Sequence, residues 1–227
     1  MWAADCAERV LGLFEAEAPG DRRPRDAIAR TRAFARGELG VVGEIRRRFV
    51  GGGAAREVSS PAAAAAARAA GQAASVAHMG AHALGAAAYA AKAAGLATPD
   101  QPEAVSEEIR WQLGHVTAAV RAALRQLPPV GENSSGPLGP GLLAAGLLST
   151  IIRELQAGLA DPAHPLTPDQ RPTRETEKQK HSLSTRALRS ALPSARPLLS
   201  PIQHRWQATP APAFAPARAL GDPRIRP

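Results

Sequence analysis

SPAAAAAARAAGQAASVAHMGAHALGAAAYAAKAAG, Ser60 to Gly95, decides the fold class. Alanine is the strongest intrinsic helix former, and the run is bounded by matching signals. Ser60 stands in a capping position, Pro61 in the first turn where its missing N–H costs nothing, and Gly95 offers a left-handed stop. The spacing predicts one alanine-rich helix over 61–94, about 50 Å long at 1.5 Å per residue. On such a helix His82 stands about 40° and Tyr89 about 20° from His78, so the three share one line. Gly71, Gly80 and Gly85 mark places where a neighbouring helix can come close.

The flanking segments are helical as well. Trp2, Cys6, Val10, Leu13 and Phe14 recur at helical spacing over 2–17, with Asp5, Glu8, Arg9 and Glu15 between them. A second helix runs from about Pro24 and Asp26 to Gly37, its inner face carrying Ala27, Thr31, Phe34 and Ala35. A third, Glu38 to Val50, places Leu39, Val42, Ile45 and Phe49 inward and leaves Arg46, Arg47 and Arg48 on a solvated flank. Gly51–Gly53 then interrupts it, each glycine costing about 1 kcal/mol relative to alanine. The last helix of the body, from about Pro102 to Gln126, repeats Val105, Ile109, Gln112, Val116, Val120 and Leu124, and Pro128-Pro129 ends it.

These readings give an all-α bundle of about five helices over 1–126. VGENSSGPLGPG falls in a linker at 127–141. A sixth helix at 142–159 is strongly apolar, fit either to cap the bundle or to swap onto a partner. Residues 160–227 lose all periodicity and form a Pro/Arg-rich tail expected to be disordered.

Charge is divided along the same line. Residues 1–161 hold 17 Lys and Arg against 16 Asp and Glu, whereas residues 162–227 hold 11 against 4. A nucleic-acid partner is therefore expected only weakly, through the tail, by sequence-independent phosphate contacts. Arginine outnumbers lysine 25 to 3, the usage of GC-rich coding DNA, so basicity alone argues little. Cys6 is the single cysteine, which excludes an intrachain disulfide and suits a reducing compartment. The N-terminus has charges at Asp5, Glu8 and Arg9 and no apolar signal region. Ala69 to Ala91 is uncharged, but its apolar content is almost all alanine, too weak for a membrane span. The expected location is cytoplasmic.

No catalytic constellation emerges. His78 and His82 have the i, i+4 spacing of two metal ligands, but the segment His-Met-Gly-Ala-His lacks the glutamate of a metalloprotease helix. No metal or other cofactor is expected; the alternative is a ligand or metal seam of His78, His82 and Tyr89. Trp111 and His115, four residues apart, share a face suited to stacking at an interhelical contact. Glu107 and Glu108 point about 100° apart and cannot both face one substrate bond. Cys6 lies on an apolar stripe, as an inert buried thiol does. These residues point to a binding protein and not to an enzyme.

WAADCAERVLGLFEAEAPGDRRPRDAIARTRAFARGE (2–38), the 60–95 stretch with AARAAG and AHMGAHALGAAAYA, and IRWQL (109–113) together resemble the immunity-protein-five-like (Imm-5-like) domain family. The resemblance covers roughly the first 125 residues. It implies a small all-α bacterial protein serving as antitoxin partner of a polymorphic toxin, and a protein toxin as partner. The family supplies no catalytic residues to carry over, so the histidines gain no role from it. The chain departs from the pattern at Gly51–Gly53 and again after Pro128.

Overall fold

The computed structural model describes residues 1–161. The tail, expected to be disordered, falls outside the described residues from 162 onward. Within them the chain is helical and contains no strand: α1 Trp2–Glu17, α2 Arg23–Ala35, α3 Val41–Arg47, α4 Val50–Gly53, α5 Pro61–Ser75, α6 His82–Ala97, α7 Ala104–Gly114, α8 Ala118–Leu124 and α9 Gly146–Ala160. The all-α class follows directly from the helix signals of the sequence.

The alanine run is the centre of the fold, but it is a hairpin and not one long helix. Ser60 caps α5 as its signal predicts, its Oγ accepting from the Ala63 N–H at 3.4 Å. At the other end the Ser75 hydroxyl donates to the Gly71 carbonyl at 2.8 Å. The chain then reverses through 76–81, with the His78 and Met79 N–H groups both turning back to the Ser75 carbonyl. The reversal has a packing cause. A rod of alanines is apolar on nearly every side and needs cover all round, which a straight helix of that length cannot find in a small domain. Folded in two, α5 and α6 cover each other, and Ala65, Ala66, Ala69, Ala70, Ala87 and Ala90 are fully buried.

Gly95 is not a stop. It lies inside α6, where an added Cβ would stand 2.5 Å from Val105 Cγ2, and the helix ends two residues later, just before Thr98 and Pro99. Gly71 and Gly85 do mark close approaches. A Cβ on Gly71 would lie 2.6 Å from both Cα and N of Gly52, and one on Gly85 would run into the Gln72 amide oxygen. Gly80 faces open space in the reversal. The glycines at 51–53 thus do the opposite of interrupting: they form the short α4, which lays its backbone directly against α5.

The other helices wrap this hairpin. α1 packs on both α5 and α6, burying Trp2, Cys6, Val10 and Phe14 as its spacing predicts. The Glu17 carboxylate at its end accepts from the Ser59 and Ser60 N–H groups at 2.5 and 3.1 Å, joining the end of α1 to the start of α5. α2 and α4 cover α5, and Gly37, at φ +78°, closes the turn after α2. The helix expected over 102–126 is two helices. α7 ends at Gly114, and Thr117 restarts the chain as the cap of α8, its hydroxyl accepting from the Val120 N–H at 3.3 Å. Of the two roles open to the sixth predicted helix, α9 takes the first and caps the bundle: Ile151, Ile152, Leu155 and Leu159 are buried against the core around α6 and α7. Arg121 Nη1 donates to the carbonyls of Leu159 and Asp161 at 3.2 and 2.9 Å, satisfying the end of α9. The stretch before α9 is strapped to it, Val130 N–H donating to Gln156 Oε1 and Gln156 Nε2 to the Pro128 carbonyl.

The segment around α3 meets the sequence expectation only in part. Of the residues placed inward by periodicity Leu39 and Ile45 are half-buried, whereas Val42 and, just past the helix, Phe49 are 58% and 70% exposed, and Glu44 is the buried residue of the helix. The cause is the ion pair that Glu44 makes with Arg30 of α2. Satisfying that charge turns the carboxylate inward and leaves Val42 facing out.

Candidate functional site

The most elaborate side-chain arrangement lies where α1 meets α7. The Trp111 and His115 rings stack with centroids 4.0 Å apart and planes 20° from parallel, as their spacing predicts. Arg9 of α1 covers the other side, its guanidinium 3.9 Å from the Trp111 ring centre. Beneath this stack Arg9 Nε donates to Glu108 Oε2 at 2.8 Å, and Gln112 Nε2 donates to Glu108 Oε1 at 3.0 Å. Gln112 Nε2 also donates to the Ala87 carbonyl of α6 at 3.1 Å, and Trp2 Nε1 donates to the Gln112 carbonyl at 2.8 Å. The chain α1–α7–α6 is therefore closed by one polar network around a buried carboxylate. Glu107, adjacent in sequence, is exposed, as the angle between them requires.

A shallow cleft of about 320 Å³ opens beside the stack between Arg9, Leu13, Ala97, Thr98 and Glu108. Two of its charged groups, Arg9 and Glu108, satisfy each other, and the third, Glu107, is exposed at its edge. A second depression of about 350 Å³ is mostly apolar, lined by Trp2, Val76, Ala83, Val120 and Leu124. Trp111 and His115 are legible as a stacking pair clustered with Glu108; Arg9, which completes the group, is not, because a contact across some hundred residues leaves no local pattern.

The other three predicted site residues do not form a line along one helix. His78 sits exposed in the reversal, His82 begins α6, and Tyr89 is buried two turns further on. The rings of His78 and His82 are 6.3 Å apart. His82 Nδ1–H donates to Gln72 Oε1 at 2.8 Å, which ties the start of α6 to the last turn of α5. No three His, Cys, Asp or Glu side chains converge on a point where a metal could be held, among the described residues. Burial pushes the Tyr89 phenol up, and burial, aided by Glu108 and Asp5, pushes the Cys6 thiol well up, so that it stays protonated and unreactive.

His82 gives the hairpin a pH dependence. Burial, with the nearby His78 and Arg48 charges, lowers its pKa from 6.5 to about 4. A histidine whose folded value lies below its unfolded value contributes stability that is complete above pH 6.5 and is lost as the pH falls from 6.5 toward 4. Melting temperatures across that window should fall more steeply for the parent protein than for His82→Gln. Parallel profiles would show that the ring is not held neutral.

What fold and site define together is an all-α domain with a stacked Arg–Trp–His surface group. The family model for "Imm-5 like putative immunity protein" matches residues 1–119, α1 through the start of α8. The chain belongs to that family. No curated protein and no solved structure matches it. Among the described residues, no helix is long and apolar enough to cross a membrane.

Proposed function

We propose that this chain is a non-enzymatic immunity protein that binds a cognate protein toxin in the cytoplasm of a bacterium and neutralises it. Family membership over residues 1–119 is the observation that carries the reading. The physical character of the domain supports it. Neutralisation by occlusion requires a rigid body with aromatic and arginine anchors at the surface, and no reacting groups. Arg9, Trp111 and His115 form such a pre-ordered group, fixed from below by Glu108 and Gln112.

The test is a search of the neighbouring genes for a toxin-domain protein, followed by co-expression with it. Bacteria producing the toxin alone should die, those producing both should grow, and the two proteins should elute together. Continued killing, or the consistent absence of a toxin-domain gene from the neighbourhood, would end the reading. Trp111→Ala, which removes the central ring of the stack, measures the share of the binding that this group carries.

A further inference from the structure

We infer that the outward face of α3 and the turn after it form a docking surface for an acidic protein segment bearing exposed apolar side chains. The inference rests on the toxin-binding reading and names the surface and the chemistry of the partner. Val42, Arg46 and Phe49 follow one another at i, i+4 and i+7, so they line one side of the chain. Val42 is 58%, Phe49 70% and the adjoining Val50 49% exposed. Val42 and Phe49 are thus apolar residues that the fold turns away from its own core, where Glu44 takes an inward position in its pair with Arg30.

Charge says what covers them. In the preceding segment Arg22, Arg23, Arg25, Arg30, Arg32 and Arg36 each have a carboxylate partner within the chain. Arg46 and Arg47, both exposed, have none among the described residues, and Arg48 lays its guanidinium over the Phe49 ring at 4.2 Å. Other exposed arginines, such as Arg56, Arg68 and Arg110, also lack a carboxylate partner, but Arg46 and Arg47 stand side by side at the one place among the described residues where a phenylalanine is exposed. Carboxylates on a partner would complement the paired charges of Arg46 and Arg47, and an apolar side chain against Phe49 and Val42 would supply the dry centre that a protein interface needs. α3 is also held in place for the task, by the Glu44–Arg30 pair and by the Ser75 hydroxyl, 3.5 Å from the Arg48 carbonyl.

The test selects a random-peptide display library on the full-length protein. Enriched peptides should be acidic and carry aromatic or aliphatic residues. Their affinity should fall about tenfold or more in Arg46→Glu/Arg47→Glu and in Phe49→Ala, as for central interface residues, and should weaken with salt. The variants alter exposed side chains, so their melting temperatures should match the parent's. Failure to enrich, enrichment of neutral or basic peptides, or indifference to the substitutions overturns the proposal. So does equal binding of mixed-sequence duplex DNA or phosphatidylserine vesicles through the same residues, or a concentration-dependent dimer abolished by Phe49→Ala. Co-expression separates the two readings. If the parent protects against the toxin and Arg46→Glu/Arg47→Glu protects equally, this surface is wrong and immunity stands. If the parent fails to protect while acidic peptides still bind through α3, immunity is wrong and the surface stands.

Discussion

Replacing Gly71 by valine is expected to cost at least about 3 kcal/mol of folding stability, a large part of what a domain of this size possesses. In an ordinary helix interior, exchanging glycine for a residue with a side chain recovers up to about 1 kcal/mol of propensity. Here the sign reverses, because the first atom added would stand 2.6 Å from Cα and N of Gly52. Those are main-chain atoms of α4 and cannot step aside as the end of a flexible side chain can. α4 would have to leave α5, and Gly51, against Ala27 on the other side, would leave with it. Gly12 in α1 is the internal control: it is exposed, with open space around its Cα, and Gly12→Ala should be neutral or stabilising by up to about 1 kcal/mol. Urea denaturation of both variants decides the matter. Equal stabilities would mean that α4 does not lie on α5.

Trp2→Ala is expected to lower stability by about 3–5 kcal/mol, the range for truncating a buried aromatic residue. Trp2 is 3% exposed near the start of the chain and joins α1 to α7 through its Nε1–H on the Gln112 carbonyl. Trp2→Phe separates packing from the hydrogen bond. It keeps most of the ring and should lose only about 1–2 kcal/mol, the share of the bond and the smaller volume. Thermal unfolding of the pair measures both. A loss for Trp2→Ala no greater than that for Trp2→Phe would show that this ring does not hold the two helices together.

The sequence carried the helices further than it carried their arrangement. The stripe of α1 and the capping of α5 by Ser60 depend on neighbours a few residues away, and those are what periodicity records. The reversal between α5 and α6 depends on what two alanine faces do for each other, and no local signal stronger than Gly80 announces it. The line of His78, His82 and Tyr89 presupposed a straight axis and disappeared with it. α3 shows the limit from the other side. Its apolar spacing is genuine and Leu39 and Ile45 are half-buried, but Glu44, claimed by Arg30 fourteen residues earlier, also faces in, and Val42 and Phe49 are left outside. At the α1–α7 junction, Trp111 and His115 were readable because they share a helix, whereas Arg9 belongs to another.

The alanine hairpin sets an unusual balance of order and attraction at the centre of the molecule. Alanine has no rotamers to freeze, so packing α5 against α6 orders little beyond the main chain. Each methyl group also buries little area, so attraction between the helices depends on how near their axes run and hardly on how side chains interlock. A core of this kind has little capacity to repack: there are few large side chains to turn aside and few voids for them to turn into. Substitution in such a protein is tolerated chiefly in its outer helices, whose surfaces can change on a centre that acts as a stiff spine.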